Sequence, residues 1–436
     1  MPTPTPSSLI GEPLQMPRSL WADTAINAPP LRPLESDASA DVLVIGAGFT
    51  GLAAAIQLTE GGRSCIVVDA AEPGWGASGR NNGQVIAGLK QDPDVIEQRF
   101  PGDIGQRLVQ FGAQAPAEVF ALIKRLGIRC SASQRGWIQP AFSRTGIRAV
   151  KARHAAWSRR GVAVRLLEGA ELATQLGTTR YQVGWLDPRG GSVQPLSYVR
   201  GLAWAAQYLG VRLYVGTHVQ ALLSRSGLWQ AQTTGGTVRA RQVIVATGAY
   251  AEHLVPGLRT SFVPVRTAQI ATRPLPDTMR QAILPHGQVA SDARQLLTSF
   301  RLSPDGRLVM GGSGATAGLD HSGIVPYLMR AGQDLFGELG PLQWEYQWSG
   351  YFAVTTDHLP HVHEPQRNLH IAVGCNGRGI AVSTALGGQL ARRALGAAVE
   401  DLAVPVSGIT GIPFHRFRGL GVQIATHYKR LQDRLG

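Results

Sequence analysis

Three cysteines in 436 residues, Cys65, Cys130 and Cys375, exclude a disulfide framework and any paired-cysteine metal site. Such sparse cysteine fits a reducing compartment, and a cytoplasmic location is expected. Lysine is almost as scarce. It occurs only at Lys90, Lys124, Lys151 and Lys429, so arginine carries nearly all of the positive charge. The arginines are scattered without a basic block. The net charge of +13 is therefore read as a solvated surface, and no nucleic-acid partner is expected. No stretch approaches the roughly 20 apolar residues that a membrane-spanning helix needs. The opening MPTPTPSSLIGEPLQMPRSLW has no basic start followed by an apolar core, so no export signal is expected. Eight prolines within the first 33 residues predict an extended arm over residues 1–35 instead.

What is present points to a large folded core. The length suggests two domains, and 44% hydrophobic with 16% charged residues suits a soluble protein. Residues 41–46, DVLVIG, form a short β-branched run typical of a buried parallel strand. Gly46-Ala47-Gly48-Phe49-Thr50-Gly51 follows, then the helical run LAAAIQLTEGG, then a second strand, Cys65 to Val68, ending on Asp69 and Ala70. This is a complete βαβ dinucleotide unit. Gly46 turns the chain, Gly48 admits a pyrophosphate, and Gly51 lets helix and strand pack closely. The helix N-terminus offers N–H donors to phosphate, and Asp69 can accept from a ribose hydroxyl. An acid at that place disfavours NADP.

Three further features favour FAD over NAD. The stretch Gly74-Trp-Gly-Ala-Ser78-Gly79-Arg80-Asn81-Asn82-Gly83-Gln84 is small, polar and unable to bury a face. Val243 to Val245 is a later buried strand that ends at Ala246-Thr247-Gly248. Gly374-Cys375-Asn376-Gly377-Arg378-Gly379 leads into a helix starting at Ile380. A long, flat flavin needs backbone near both its ring and its pyrophosphate, and glycine loops far apart in one chain can supply that.

Together these motifs resemble the D-amino-acid-oxidase superfamily of FAD enzymes, over nearly the whole chain. Supporting marks are Gly191-Ser192-Val193-Gln194-Pro195, Arg301 to Arg307, Trp348-Ser349-Gly350 and Asp357-His358-Leu359-Pro360. Ser19-Leu20-Trp21 and the tail PFHRFRG…YKRLQDRLG are most similar to the γ-glutamylputrescine oxidase branch. The resemblance implies an α/β fold. A Rossmann-like FAD-binding domain of the glutathione-reductase type would combine residues 36–128, 187–256 and 345–400. An interleaved substrate domain on a mainly antiparallel sheet would combine 129–186 and 257–344, and residues 401–436 would pack on the FAD domain. The periodicity agrees: residues 262–272 and 307–312 alternate as strands do, as does the run around Val219.

The implied reaction is hydride transfer from an amine-bearing carbon of a small amine or amino acid to flavin, with molecular oxygen reoxidising it. The rival is delivery of electrons to a quinone or carrier protein. Ser78 to Asn82 would line the pyrophosphate and ribityl chain, while Gly83 and Gln84 would reach the flavin ring. Val219, Ala246 to Gly248 and Gly377 to Ile380 would complete the cradle. No cysteine stands near Trp348 to Phe352, where some relatives attach FAD covalently, so noncovalent FAD is expected. The family's oxygen-activating lysine has no counterpart between Lys151 and Lys429. Lys90, an arginine or a histidine takes that place, or the enzyme is a dehydrogenase. Arg378 is placed near the flavin edge, and Tyr351 is a second catalytic candidate. Trp348, Tyr351 and Phe352 could hold a cationic amine, or be core packing. Arg294 is the candidate partner of a substrate carboxylate, against an ordinary surface role. His358, His361 and His363 are not expected to bind metal. The oligomeric state stays open.

Overall fold

The structure is a computed structural model, and it describes residues 8–9, 11–315, 323–424 and 428. Two large sheets dominate it. In the first, five strands run parallel in the spatial order Arg212–Tyr214, Cys65–Val68, Ala38–Ile45, Thr237–Val245, Leu369–Val373. All four residues of Cys65–Val68 and all five of Leu369–Val373 are buried, as a sheet covered on both faces requires. The strand His361–Gln366 continues the sheet antiparallel, and Val406–Ser407 closes its edge. The hairpin of Val219–Arg225 and Leu228–Thr233 extends from Thr237–Val245.

Two helices pack on one face of this sheet. Phe49–Glu60 and Gly379–Ala394 cross so tightly that a Cβ on Gly387 would stand 2.5 Å from the Thr50 carbonyl oxygen. The Thr50 hydroxyl donates to the Ser383 carbonyl oxygen at 2.9 Å and locks the crossing.

The second sheet runs Trp344–Val354, Val263–Thr272, Leu308–Ala315, Thr298–Leu302, Val289–Ser291, Trp137–Ala141, Val183–Asp187, Arg165–Glu168. Every neighbouring pair is antiparallel except Val289–Ser291 with Trp137–Ala141. One boundary differs from expectation. Trp344–Val354 pairs along Val263–Thr272 from Val263 to Thr272, so it belongs to this sheet and not to the segment expected from residue 345 onward. An eleven-residue strand with a long neighbour is held by its ladder, whatever motif it carries.

The arm differs as well. It contains a helix, Leu20–Thr24, capped by the Ser19 hydroxyl, which accepts from the Ala22 N–H at 3.0 Å. Leu20 and Trp21 are fully buried, so part of the arm belongs to the core. No described helix is long and apolar enough to cross a membrane.

Candidate functional site

The three glycines of the first turn do different work. Gly46 has φ +110, which a side chain rarely tolerates, and its Cβ would stand 2.8 Å from the Ala246 carbonyl oxygen. A Cβ on Gly51 would land on the Gly46 carbonyl oxygen, so glycine there lets the helix sit on the turn. Gly48 has φ −89, and its Cβ would meet only Ser78, with the hydroxyl oxygen at 2.9 Å. The Ser78 hydroxyl accepts from the Phe49 N–H at 3.1 Å. The helix begins with no side-chain cap and no acid in its first turn. Beyond the Phe49 N–H that Ser78 occupies, its next leading N–H groups therefore remain available to an anion.

Asp69 ends the second strand. One carboxylate oxygen accepts from the Ala47 N–H at 2.6 Å and the other from the Ala71 N–H at 2.9 Å. Burial pushes this carboxyl up to about 6, against the pull of those two donors. Among the described residues no cation pairs with it, and a ribose hydroxyl would add a third donor.

A cavity of about 420 Å³ joins these parts. Gly46, Gly48, Phe49, Thr50, Asp69, Ala70 and Ser78 line one end. Val219 and Ala246 to Gly248 line its side, and Tyr351, Phe352 and Cys375 the far end. Trp75, Tyr250 and Tyr351 form an aromatic wall, with ring centroids 5.1 and 6.3 Å apart. The sequence reasoning missed Trp75 and Tyr250. Their signal was position: each lies within four residues of a turn already assigned to the cradle.

The polar stretch beyond Gly74 is a seam between the two sheets rather than a free loop. It contains a single helical turn, Ala77–Arg80, and a short strand, Gln84–Val85, that pairs with Gly191–Ser192. The Asn81 carbonyl oxygen accepts from the Trp21 indole at 2.8 Å. The Asn82 amide donates to Gln269 at 3.1 Å, while its Oδ1 is buried with no partner among the described residues. Gln84 donates to the Ala290 carbonyl oxygen at 2.8 Å and accepts from Ser291 at 3.2 Å. Its side chain is thus spent on the second sheet. Gly83, expected at the flavin ring, lies under Arg301. The Arg301 guanidinium donates to the Gly83 carbonyl oxygen at 2.9 Å and to that of Val193 at 2.7 Å. Burial without a carboxylate partner pushes Arg301 down to about 10.

Arg80 also departs from expectation. Its guanidinium turns into the N-terminal arm, pairing with Glu12 at 2.5 Å and stacking on Trp75 at 4.6 Å. Glu12 also pairs with Arg266 at 2.8 Å, and Arg266 donates to the Tyr351 hydroxyl at 2.7 Å. One carboxylate of the arm thus neutralises two arginines behind the cavity wall. Gly79 is close-packed, since its Cβ would reach the Gly74 carbonyl oxygen and Leu196.

At the far end, Gly374, Asn376 and Gly377 all have positive φ. Asn376 tolerates this because its side chain closes the loop. Its Oδ1 accepts from the Thr355 N–H at 2.9 Å, and its Nδ2 donates to the Gly374 carbonyl oxygen at 2.6 Å. The helix Gly379–Ala394, with Ile380 buried, then starts from Arg378 with no side-chain cap. Arg378 is half-buried and stands over the Trp137 ring at 5.0 Å. Among the described residues it has no carboxylate within ion-pair distance. Burial and nearby Arg153 push it down to about 10. Cys375 is the thiol nearest the cofactor cradle, and burial raises it above the usual thiol range, which disfavours the thiolate.

Three other candidates lie elsewhere. Lys90 is exposed and is not among the residues that line the cavity, and no lysine among the described residues lines it. Arg294 pairs with fully buried Asp292 at 3.2 Å and donates to the Tyr327 hydroxyl at 3.0 Å, so its charge is already answered within the second sheet. Trp348 is 1% exposed, packs edge-on against Trp21 and donates to the Arg80 carbonyl oxygen, which makes it core. Among the described residues no three His, Cys, Asp or Glu side chains group as metal ligands.

The residues fit a flavin dinucleotide on three counts: an uncapped helix start beside a buried acid, a second uncapped helix start four residues after Cys375 of the cavity wall, and the orphaned Asn82 oxygen, although Asn82 and Gly377 to Ile380 do not themselves line the cavity. Comparison with known proteins agrees, since residues 41–393 match the DAO family of FAD dependent oxidoreductases. The chain belongs to this family. It is 29% identical to γ-glutamylputrescine oxidoreductase of Escherichia coli over 427 residues, covering 96% of this chain and 98% of that one. Among solved structures, glycine oxidase of Geobacillus kaustophilus matches with a TM-score of 0.68 at 23% identity, over 82% of this chain and 95% of that one. L-amino acid deaminase of Proteus vulgaris matches with a TM-score of 0.70 at 20% identity, over 88% and 96%. These DAO-type neighbours share an α/β fold with mixed sheets.

Proposed function

We propose that this FAD-dependent oxidoreductase holds FAD noncovalently and oxidises the C–N bond of a small amine or amino acid to an imine. The observation that supports this best is the continuous cavity from Asp69, past the start of helix Phe49–Glu60, to Phe352 and Cys375. Bound FAD would supply the hydride acceptor. Asp69 would hold the ribose, and the helix start at Gly48 would hold the pyrophosphate. Asn82 would turn its orphaned oxygen to the ring system, and the Gly379 helix start would place positive potential at the far end. A free amine, with a pKa near ~10, is mostly cationic at neutral pH. The aromatic wall of Tyr250, Tyr351 and Phe352 would receive the cation, and the apolar surround would favour release of its proton to solvent before oxidation. Arg378, with no ion-paired carboxylate among the described residues, is the group we assign to the anionic part of substrate or cofactor. The raised Cys375 thiol supports a noncovalent cofactor, and acid precipitation should release all of the yellow colour to the supernatant. Free cysteines at all three positions support a cytoplasmic enzyme.

Oxygen is the acceptor in this proposal, so turnover in air should release one peroxide per amine consumed. A second possibility has specific support: no lysine among the described residues lines the cavity to activate oxygen. In that case the enzyme is a dehydrogenase, passing electrons to a quinone or carrier protein. An anaerobic screen of amines and amino acids, including γ-glutamylputrescine, sarcosine and glycine, would be read as flavin bleaching. Aerobic assay of each hit for peroxide then separates the two. If no amine bleaches the flavin, the proposed chemistry fails.

A further inference from the structure

The N-terminal arm brings one carboxylate to two arginines of the body. Glu12 Oε2 meets Arg80 Nη1 at 2.5 Å, and its Oε1 meets Arg266 Nη2 at 2.8 Å. The side chains of Glu12, Arg80 and Arg266 are 13%, 4% and 12% exposed. Among the described residues no other acid is within ion-pair distance of either arginine, and the Nε of each is buried without a hydrogen-bond partner. Two cations that share one anion still attract another.

The body holds both guanidiniums without help from Glu12. Arg80 stands over the Trp75 ring at 4.6 Å. A Cβ on Gly350 would come within 3.2 Å of the Arg80 side chain, so glycine there makes room for it. Arg266 stands over the Tyr351 ring at 4.4 Å and donates to the Ser349 hydroxyl at 2.6 Å as well as to the Tyr351 hydroxyl. Guanidinium forks fixed in this way bind a carboxylate at little ordering cost. Trp75 and Tyr351 both line the cavity, so the pair of arginines stands directly behind its wall.

The carboxylate itself arrives on a weakly built element. Glu12 lies in a hairpin of Ser8–Leu9 with Glu12–Pro13, two residues to a strand, which is too short to stand alone. Next to it the Trp75 indole donates to the carbonyl oxygens of Pro13 and Gln15 at 3.0 and 3.2 Å. Glu12 is therefore a tethered ligand. Such a tether acts at an effective concentration of about millimolar, within reach of a free competitor.

We propose that Arg80 and Arg266 form a binding site for a small organic carboxylate, that Glu12 fills this site in cis, and that a free carboxylate taking it undocks the arm from Trp75. The site lies behind the cavity wall, and the inference does not depend on the chemistry assigned to the cavity.

The test uses full-length holoprotein and two probes, acetate and succinate, against chloride at the same ionic strength. Glu12→Ala vacates the site and strands two buried cations, so its Tm should fall by several degrees. Acetate should restore most of that loss, as a ligand of the folded state does, and chloride none. In the wild type the readout is tryptic cleavage after Arg18, which is exposed on the arm. Cleavage follows the population of released arm, and saturating succinate should speed it by about tenfold while chloride does not. Arg266→Gln should abolish the succinate effect. Failure of acetate to rescue Glu12→Ala, or equal rescue by chloride, overturns the proposal. So does a wild-type cleavage rate that succinate leaves unchanged, because Glu12 is then a fixed ion pair and not the occupant of a site. Should Glu12→Ala fail to fold, the wild-type cleavage rate decides.

Discussion

Replacing Gly48 by alanine separates two reasons for a glycine at that place. The backbone there has φ −89, so alanine causes no backbone strain. The new methyl would stand 2.9 Å from the Ser78 hydroxyl oxygen, roughly half an ångström inside ordinary contact. Overpacking of this kind costs about 1–3 kcal/mol. Ser78 can rotate away, but only by giving up its bond to the Phe49 N–H, worth about 1 kcal/mol. Gly48→Ala should therefore lower Tm by a few degrees. If a pyrophosphate also rests on this turn, the methyl holds it off, and flavin affinity should fall about tenfold to a hundredfold, or about 1.4–2.8 kcal/mol. The double variant Gly48→Ala/Ser78→Ala is decisive. Removing the hydroxyl leaves the methyl 3.8 Å from the residue 78 Cβ, an ordinary contact. Its Tm should then match that of Ser78→Ala alone, while its flavin affinity stays weak. Apo-protein is titrated with FAD by fluorescence quenching, and melting is followed by circular dichroism. If the double variant binds FAD as tightly as Ser78→Ala, the glycine accommodates Ser78 and nothing else, and the placement of the pyrophosphate is wrong.

Three further outcomes follow from the geometry. Asp69 is raised to about 6 in the free protein, and a ribose hydroxyl favours its ionised form. Flavin affinity should thus drop as pH falls below 6, while the Asp69 contribution to apo-protein stability, on the order of 3 kcal/mol, should grow between pH 6 and 4; Asp69→Asn should flatten both trends, and parallel trends would contradict the assignment. Asn376→Ala removes the side-chain bonds that hold a positive φ, so a loss of about 2–4 kcal/mol in urea melts is expected, and a loss under 1 kcal/mol would show the loop stands without them. Arg301→Met removes a buried cation with no carboxylate partner among the described residues but strands the Val193 carbonyl oxygen, while that of Gly83 keeps the Val193 N–H at 2.9 Å, and these effects offset in Tm; FAD should nevertheless dissociate faster by stopped flow, because Gly83 loses one of the bonds that hold it, and an unchanged rate would refute the clamp.

The βαβ unit was legible because its evidence is local: a β-branched run, three glycines at fixed offsets and an acid at the end of the next strand. The second sheet was legible in part for the same reason, since residues 262–272 and 307–312 read as strands and fall on Val263–Thr272 and Leu308–Ala315, though burial along Val263–Thr272 runs in two blocks rather than alternating. The cavity residues that sequence missed or misplaced depend on distant partners. Gly83 looks like flavin-contact backbone until Arg301, 218 positions later, is seen resting on it. Arg80 looks like a phosphate ligand until Glu12, 68 positions earlier, is seen to hold it. Trp348 was a candidate for holding substrate but faces Trp21, and sequence alone does not say which side chains of a strand meet the cavity. Lys90 was chosen for its closeness in sequence to the polar stretch, and nothing local reports that it lies off the cavity lining.

The seam between the sheets also bears on how such a chain is made. Its turn is tied upstream to the arm through Trp21 and Glu12. It is also tied to Trp348, whose indole bonds the Arg80 carbonyl oxygen across 268 positions. A ribosome that has finished the βαβ unit has produced neither Arg301 nor Trp348. Closing so long a loop is slow and comes late in folding. The nascent chain must therefore carry an unfinished cradle through most of its synthesis, and the supply of flavin matters most after the last strands emerge.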